Sequence, residues 1–145
     1  MSPLDRADSL EAMTLKVRVS ASHDSRAALT IDRSAGAGAT FNPRELLCLA
    51  VGGCYVDDLF LEADKRGIAL RSVHVDVEAE WSGQPARARD VTLVVRVEAN
   101  ADERTLMDLA EHTDRVTLIP NLLRLGTSVR VTDARVIASN GHIQS

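Results

Sequence analysis

Aromatic side chains are scarce in this chain: Phe, Tyr and Trp make up 3% of its 145 residues. The core must therefore be built from Leu, Val, Ile and Ala, and there is no series of stacking platforms of the kind single-stranded nucleic acids need. An excess of basic charge is also missing. The formal net charge is -4, which excludes the basic stripe that marks a nucleic-acid partner and argues against an anionic membrane surface. The longest apolar run, residues 46–56, falls short of the ~20 residues that span a bilayer, so no membrane partner is expected. Residues 1–11 are polar and lack the apolar stretch of a signal peptide, so the expected location is cytoplasmic. Cysteine is limited to Cys48 and Cys54, too few for a disulfide framework.

Metal and cofactor signatures are missing too. His23, His74, His112 and His142 are scattered without metal-ligand spacing. The glycines of residues 34–40 lack the strand–loop–helix pattern of a phosphate cradle, and no nucleophile elbow or serine triad signature is visible. No metal and no cofactor are expected.

What is present is clear apolar periodicity. Met13, Leu15, Val17 and Val19 alternate with Thr14, Lys16 and Arg18, as in a half-buried strand. Residues 22–25 turn the chain into a short second strand over 28–32, giving a hairpin. Asn42 and Pro43 open a helix as cap and first helical residue, and Gly67 ends it near Arg66. Its first half, residues 46–56, is apolar on all sides and predicts burial all round. Its second half carries Asp57, Asp58, Glu62, Asp64, Lys65 and Arg66 and is expected to emerge into solvent. Gly52 and Gly53 disfavour a helix by about 1 kcal/mol each relative to Ala, which implies close approach by another element or subunit.

Two further strands follow. Val73, Val75, Val77, Ala79 and Trp81 alternate with His74, Asp76, Glu78 and Glu80, the second set reading as a wet sheet face. Val91, Leu93, Val95 and Val97 repeat the period, so the pair predicts an antiparallel hairpin. Asn100 and Glu103 have capping-box spacing ahead of a helix to about Arg115, with Leu106, Leu109 and Ala110 facing the core. Pro120 interrupts, and residues 120–125 form a short helix. Residues 127–138 predict a last strand with Val129, Val131 and Val136 inward. The order β-β-α-β-β-α-α-β fits an α+β fold with antiparallel sheets rather than a doubly wound one. Residues 1–145 read as one domain, with 1–11 a leader and 139–145 a tail.

This order resembles the OsmC/Ohr family of osmotically inducible and organic hydroperoxide resistance proteins. The motifs that carry the resemblance are Asn42-Pro43-Arg44-Glu45-Leu46-Leu47 followed by Gly52-Gly53-Cys54, and Ala110-Glu111 through Asn121-Leu122-Leu123 to Gly126. It covers about residues 13–138. The resemblance implies antiparallel sheets around a buried central helix and an intertwined homodimer with a site at its interface. It also implies that Cys54 attacks a small organic hydroperoxide and becomes a sulfenic acid. Glu45 and an Arg of the hairpin region, Arg26 or else Arg33, would support the thiolate. The family's second, resolving cysteine has no counterpart. Its position is occupied by Thr117, with Leu118 next, and no cysteine follows Cys54. Resolution then falls to an external thiol.

The residues themselves leave two readings open. Peroxide reduction needs a reachable thiolate and a partner for the sulfenic acid. Cys54 stands about eleven residues into its helix, beyond the first turn in which the helix field acts, so a cation must come from elsewhere. Asp58, four residues on, shares the face of Cys54 and opposes a second negative charge there. The alternative is that Cys54 is a small buried hydrophobe. In that case the same fold serves as a dimeric binding module whose pocket takes a small apolar ligand. Cys48 lies roughly 9 Å and about 120° from Cys54 along the helix, too far for a disulfide, which requires Cα atoms within about 7 Å; core packing is its expected role. Glu45 in the first turn is favoured by the helix dipole whatever else it does. Arg26 and Arg33 read by default as solvated hairpin residues, and His112 as a surface residue near Thr117.

Overall fold

In a computed structural model of the chain, residues 13–25, 30–33 and 43–138 are described. Arg26, the cap Asn42, the loop 34–40, the leader 1–11 and the tail 139–145 lie outside the described residues. For Arg33 only the backbone is described.

The alternating segments pair as their periodicity requires. Strands β1 (Met13–Ser22), β2 (Thr30–Arg33), β3 (Leu70–Ser82) and β4 (Arg87–Ala99) form one antiparallel sheet in the order β2-β1-β3-β4. A single turn of 3-10 helix (His23–Ser25) follows β1. Three helices complete the described chain: α1 (Pro43–Lys65), α2 (Glu103–Val116) and α3 (Leu118–Leu125). The fold is α+β, as expected. No described helix is long and apolar enough to cross a membrane.

One face of the sheet is closed by α1. Leu15, Val17 and Val19 of β1 and Val73, Val75 and Val77 of β3 are buried under it. Helix and sheet meet closely because Gly52 has no side chain. A Cβ there would stand 2.9 Å from the Cγ2 atoms of both Val19 and Val77. The glycine predicted to permit close approach therefore faces the sheet of its own chain. The helix stops at Gly67, whose φ of 69° suits glycine. Ile68 N–H donates to Ala63 O at 2.9 Å and Gly67 N–H to Asp64 O at 3.2 Å, so the last carbonyls are satisfied. The opposite sheet face carries the wet row, with Arg18 paired to Asp76 at 2.6 Å and Ser20 to His74 at 2.8 Å.

Four expectations need correction. The cap of α2 is Asp102, not Asn100: its carboxylate accepts from Thr105 N–H at 2.8 Å, a reach that a side chain two residues earlier does not have. Residues 46–56 are not buried all round, since Leu46 is 42% exposed and Ala50 is also exposed; sheet and helices cover only part of the circumference of α1. In the second half of α1, Glu62 is buried rather than solvated. Residues 127–138 form no strand and pair with nothing among the described residues. Val129, Val131, Val136 and Ile137 are instead 83–96% exposed. An extended segment becomes a strand only when an edge supplies its hydrogen bonds, and none does so within the described chain.

Candidate functional site

Cys54 sits where α1 meets the α2–α3 junction. The residue is partly exposed, and its sulfur touches three polar groups. Sγ donates to Asp58 Oδ2 at 3.5 Å, lies 3.6 Å from Thr117 Oγ1 and accepts Ile119 N–H at 3.4 Å. Asp58 is brought there by the i,i+4 geometry of α1. Thr117 and Ile119 come from more than sixty residues away. The sulfur is thus neither sealed among Leu and Val side chains nor met by a guanidinium of the described residues.

The contact to Ile119 follows from how α3 begins. The first N–H groups of a helix have no partner within it. Thr117, the cap of α3, makes no side-chain bond to them. Leu118 N–H goes to Asp58 Oδ2 at 3.3 Å instead, and Ile119 N–H to Cys54 Sγ. Two side chains of α1 therefore cap α3 from outside. The junction holds this aim through Asn121, whose Nδ2 donates to Thr117 O at 2.6 Å and Arg115 O at 3.1 Å. Arg124 ties Asp114 at 2.6 Å and Asn121 Oδ1 at 2.8 Å.

Helix α2 is docked on α1 beside the sulfur. Leu109 and Thr113 are buried, and Tyr55 OH donates to Ala110 O at 2.9 Å. Burial first, and the Asp114 carboxylate second, push the Tyr55 phenol up to about 12, so it stays a hydrogen-bond donor at every physiological pH. Eight residues beyond Cys54, Glu62 accepts from Lys65 Nζ at 2.8 Å and lies 2.6 Å from His112 Nε2. The Lys65 hydrogen bond, and after it His112, hold the Glu62 carboxyl below the usual range against the opposing effect of burial. His112 is thus a half-buried anchor between α2 and α1, and the Glu62 it meets lies roughly 12 Å of helix rise from Cys54.

The other expected site residues are placed as follows. Glu45 is buried, 2% exposed, in the first turn of α1. It lies about 13.5 Å of rise and about 180° of azimuth from Cys54, so the two do not meet within one chain. Its carboxylate instead acts on Cys48, whose thiol is pushed up by burial first and by Glu45 second. Cys48 is fully buried in the core. Arg26 lies outside the described residues, as does the side chain of Arg33. Among the described residues no group of three or more His, Cys, Asp or Glu side chains could hold a metal ion.

The helices cover the inner face of β4 loosely, and Val91, Leu93, Val95 and Val97 are only half-buried. A groove of about 310 Å³ runs between β4 and α3, with Val51, Leu93, Pro120 and Leu123 as its apolar lining and Arg89 and Arg124 at its margin. A second, of about 370 Å³, lies between β4 and α2 over Val95, Val97, Leu106 and Met107. Sequence reasoning found Cys54, Asp58 and Thr117. It missed the Leu118 and Ile119 amides, because no side-chain pattern announces a backbone donor. Asn121 was visible only as part of a motif.

Comparison with known proteins follows the same lines. Residues 36–132, about two thirds of the chain, match the model of a family described as OsmC-like protein. Among solved structures, the chain is similar to an OsmC-like hydroperoxide resistance protein from Jannaschia sp. CCS1, with a TM-score of 0.57 and 10% identity over 83% of this chain and 96% of that one. At that identity the likeness is one of fold. No curated protein matches the chain.

Proposed function

The chain belongs to the OsmC-like protein family, and on that premise we propose that Cys54 reduces small organic hydroperoxides, with an external thiol as the reductant. The observation that carries this reading is the setting of Cys54: a partly exposed residue whose sulfur accepts Ile119 N–H at the start of α3. A backbone donor at a helix N-terminus favours negative charge on the atom it meets. Cys54 attacks the distal oxygen of the hydroperoxide. The O–O bond breaks, the sulfur loses two electrons and becomes Cys54–SOH, and the thiol proton ends on the departing alkoxide to give the alcohol. Thr117 cannot resolve the sulfenic acid, because a hydroxyl forms no disulfide. One external thiol displaces water to give a mixed disulfide, and a second releases Cys54 as the thiol together with the external disulfide. The supporting cation is Arg26 or Arg33. Glu45, on the far face of α1, acts only as the anchor for that Arg.

We further propose that the working form is a homodimer in the reducing interior of the cell. Support comes from two unpartnered features: the extended arm 127–138 with its exposed Val and Ile side chains, and the exposed face of α1 at Leu46 and Ala50. Sedimentation equilibrium should give twice the chain mass of 15.7 kDa; a monomer at micromolar concentration would sink this part.

A second reading keeps the fold and drops the turnover. The apolar grooves under β4 favour it, since about 310 and 370 Å³ lie in the range of small-molecule sites. There the protein binds a small apolar ligand and Cys54 is a bystander. One experiment separates the two. The protein is treated with a slight excess of organic hydroperoxide and a dimedone-type probe, then mapped by mass spectrometry beside Cys54→Ser. Labelling at Cys54 and not at Cys48 supports the peroxidatic reading. No label, with Cys54 inert to alkylation in the native state, leaves the binding module.

A further inference from the structure

The nearest charged group to the Cys54 sulfur among the described residues is negative. Asp58 Oδ2 lies 3.5 Å from it. That carboxylate forms no salt bridge among the described residues; it also accepts Leu118 N–H at 3.3 Å. Lys65 and Arg66 pair with Glu62, and Arg124 with Asp114; Arg115, two residues before Thr117, is exposed to solvent. The N-terminus of α3 contributes about half a positive charge, which a full carboxylate outweighs. Asp57, exposed on the next position of α1, adds a second negative charge. Leu118 N–H fixes the Asp58 carboxylate in place, so its field falls on whatever approaches the sulfur.

We propose that Asp58 sets the charge specificity of the Cys54 site. The site admits neutral and cationic hydroperoxides and thiols and turns away those with a carboxylate or other anion beside the reacting atom. This rests on Cys54 being a reachable thiol and on the Asp58 charge outweighing that of the Arg, Arg26 or Arg33, that supports it. The external thiol that resolves the sulfenic acid is then a neutral or aminated one rather than an acidic one. At about 6 Å a unit charge gains or loses roughly threefold in local concentration even at the dielectric of water, and more in a partly enclosed site. A cationic and an anionic reagent therefore separate by about tenfold or more.

The test uses methanethiosulfonates that differ in charge. Purified protein reacts with the methyl (neutral), trimethylammonium-ethyl (cationic) and sulfonatoethyl (anionic) reagents. Rates at Cys54 are assigned by peptide mapping and divided by the rates of the same reagents with 2-mercaptoethanol. Both charged reagents attack the same sulfur, so its reactivity cancels in their ratio. The expected ratio of cationic to anionic rate is about tenfold or more at low salt. It should fall towards one in Asp58→Asn, whose amide oxygen still accepts from Leu118 N–H, and in about 1 M salt, where the screening length is roughly 3 Å. A ratio near one in the native protein, or one that survives Asp58→Asn unchanged, overturns the proposal while the site reading stands. No reaction with the neutral reagent refutes the reachable thiol and the proposal with it.

Discussion

Cys48 and Cys54 stand six residues apart on α1, and the helix turns them towards different surroundings. Cys48 faces the side closed by the sheet. It is fully enclosed, and burial and then Glu45 both oppose its thiolate. Cys54 faces the α2–α3 junction, where its sulfur touches a carboxylate, a hydroxyl and a backbone N–H. The first environment is built from close packing. The second is built from hydrogen bonds between α1 and the first turn of α3. The same element thus carries a sealed side and a polar, accessible one, and residue type alone does not distinguish two cysteines in this position. What distinguishes them is which later segment of the chain comes to lie against each.

The contrast predicts its largest effect in thiol chemistry. In native protein, iodoacetamide should modify Cys54 at least about a thousandfold faster than Cys48. Cys48 reacts only when the core opens, an event whose free energy approaches that of global unfolding, about 5–15 kcal/mol. Peptide mapping over a time course checks this. Comparable rates at both sites would mean that α1 opens locally and that the sealed side is not sealed.

Packing on the closed side predicts the next effect. A methyl at position 52 would stand 2.9 Å from two Val Cγ2 atoms, and β-branched side chains have little rotamer freedom with which to yield. Overpacking of this kind destabilises by about 1–3 kcal/mol. Better helix propensity returns about 1 kcal/mol. Gly52→Ala should therefore lower stability by up to about 2 kcal/mol, seen as a melting temperature several degrees lower. An unchanged or higher melting temperature would show that the helix can lift off β1 and β3 without loss.

Much of the closed side was legible in the sequence, and less of the polar side. Alternation over residues 73–81 and 91–97 predicts the β3–β4 hairpin because a strand's pattern is local and its partner is the next segment. Gly67 announces the helix end for the same reason. The Cys54–Asp58 contact is legible too, being an i,i+4 pair. Residues 127–138 have the same alternation as β3 and yet form no strand, since pattern alone supplies no edge to pair with. By its charged neighbours Glu62 reads as solvated. His112, which meets it at 2.6 Å, comes from fifty residues later. The Ile119 amide was invisible because every residue but proline carries one. The polar side is long-range throughout, and that is why sequence spacing reached only part of it.

Glu62 offers the finest test of how that polar side is held together. Its carboxyl is held below the usual range, chiefly by the Lys65 hydrogen bond and then by His112. A carboxylate lowered in the folded state stabilises above its unfolded value, and that stabilisation is lost as the pH falls through the lowered value. Glu62→Gln keeps a hydrogen-bonding side chain and removes the charge. The native protein should therefore melt slightly above the variant at neutral pH. The two should converge as the pH drops through and below the ordinary carboxylate range. The gap should be small, since Lys65 is largely exposed and such pairs are screened by solvent. Thermal melts of both proteins between about pH 3 and pH 8 decide the matter. If the gap persists unchanged at the acid end, it comes from packing, and α2 is docked on α1 by Leu109 and Tyr55 without help from the Glu62 charge. If it closes, the Glu62 charge contributes, first through Lys65 on its own helix and then through His112 on α2.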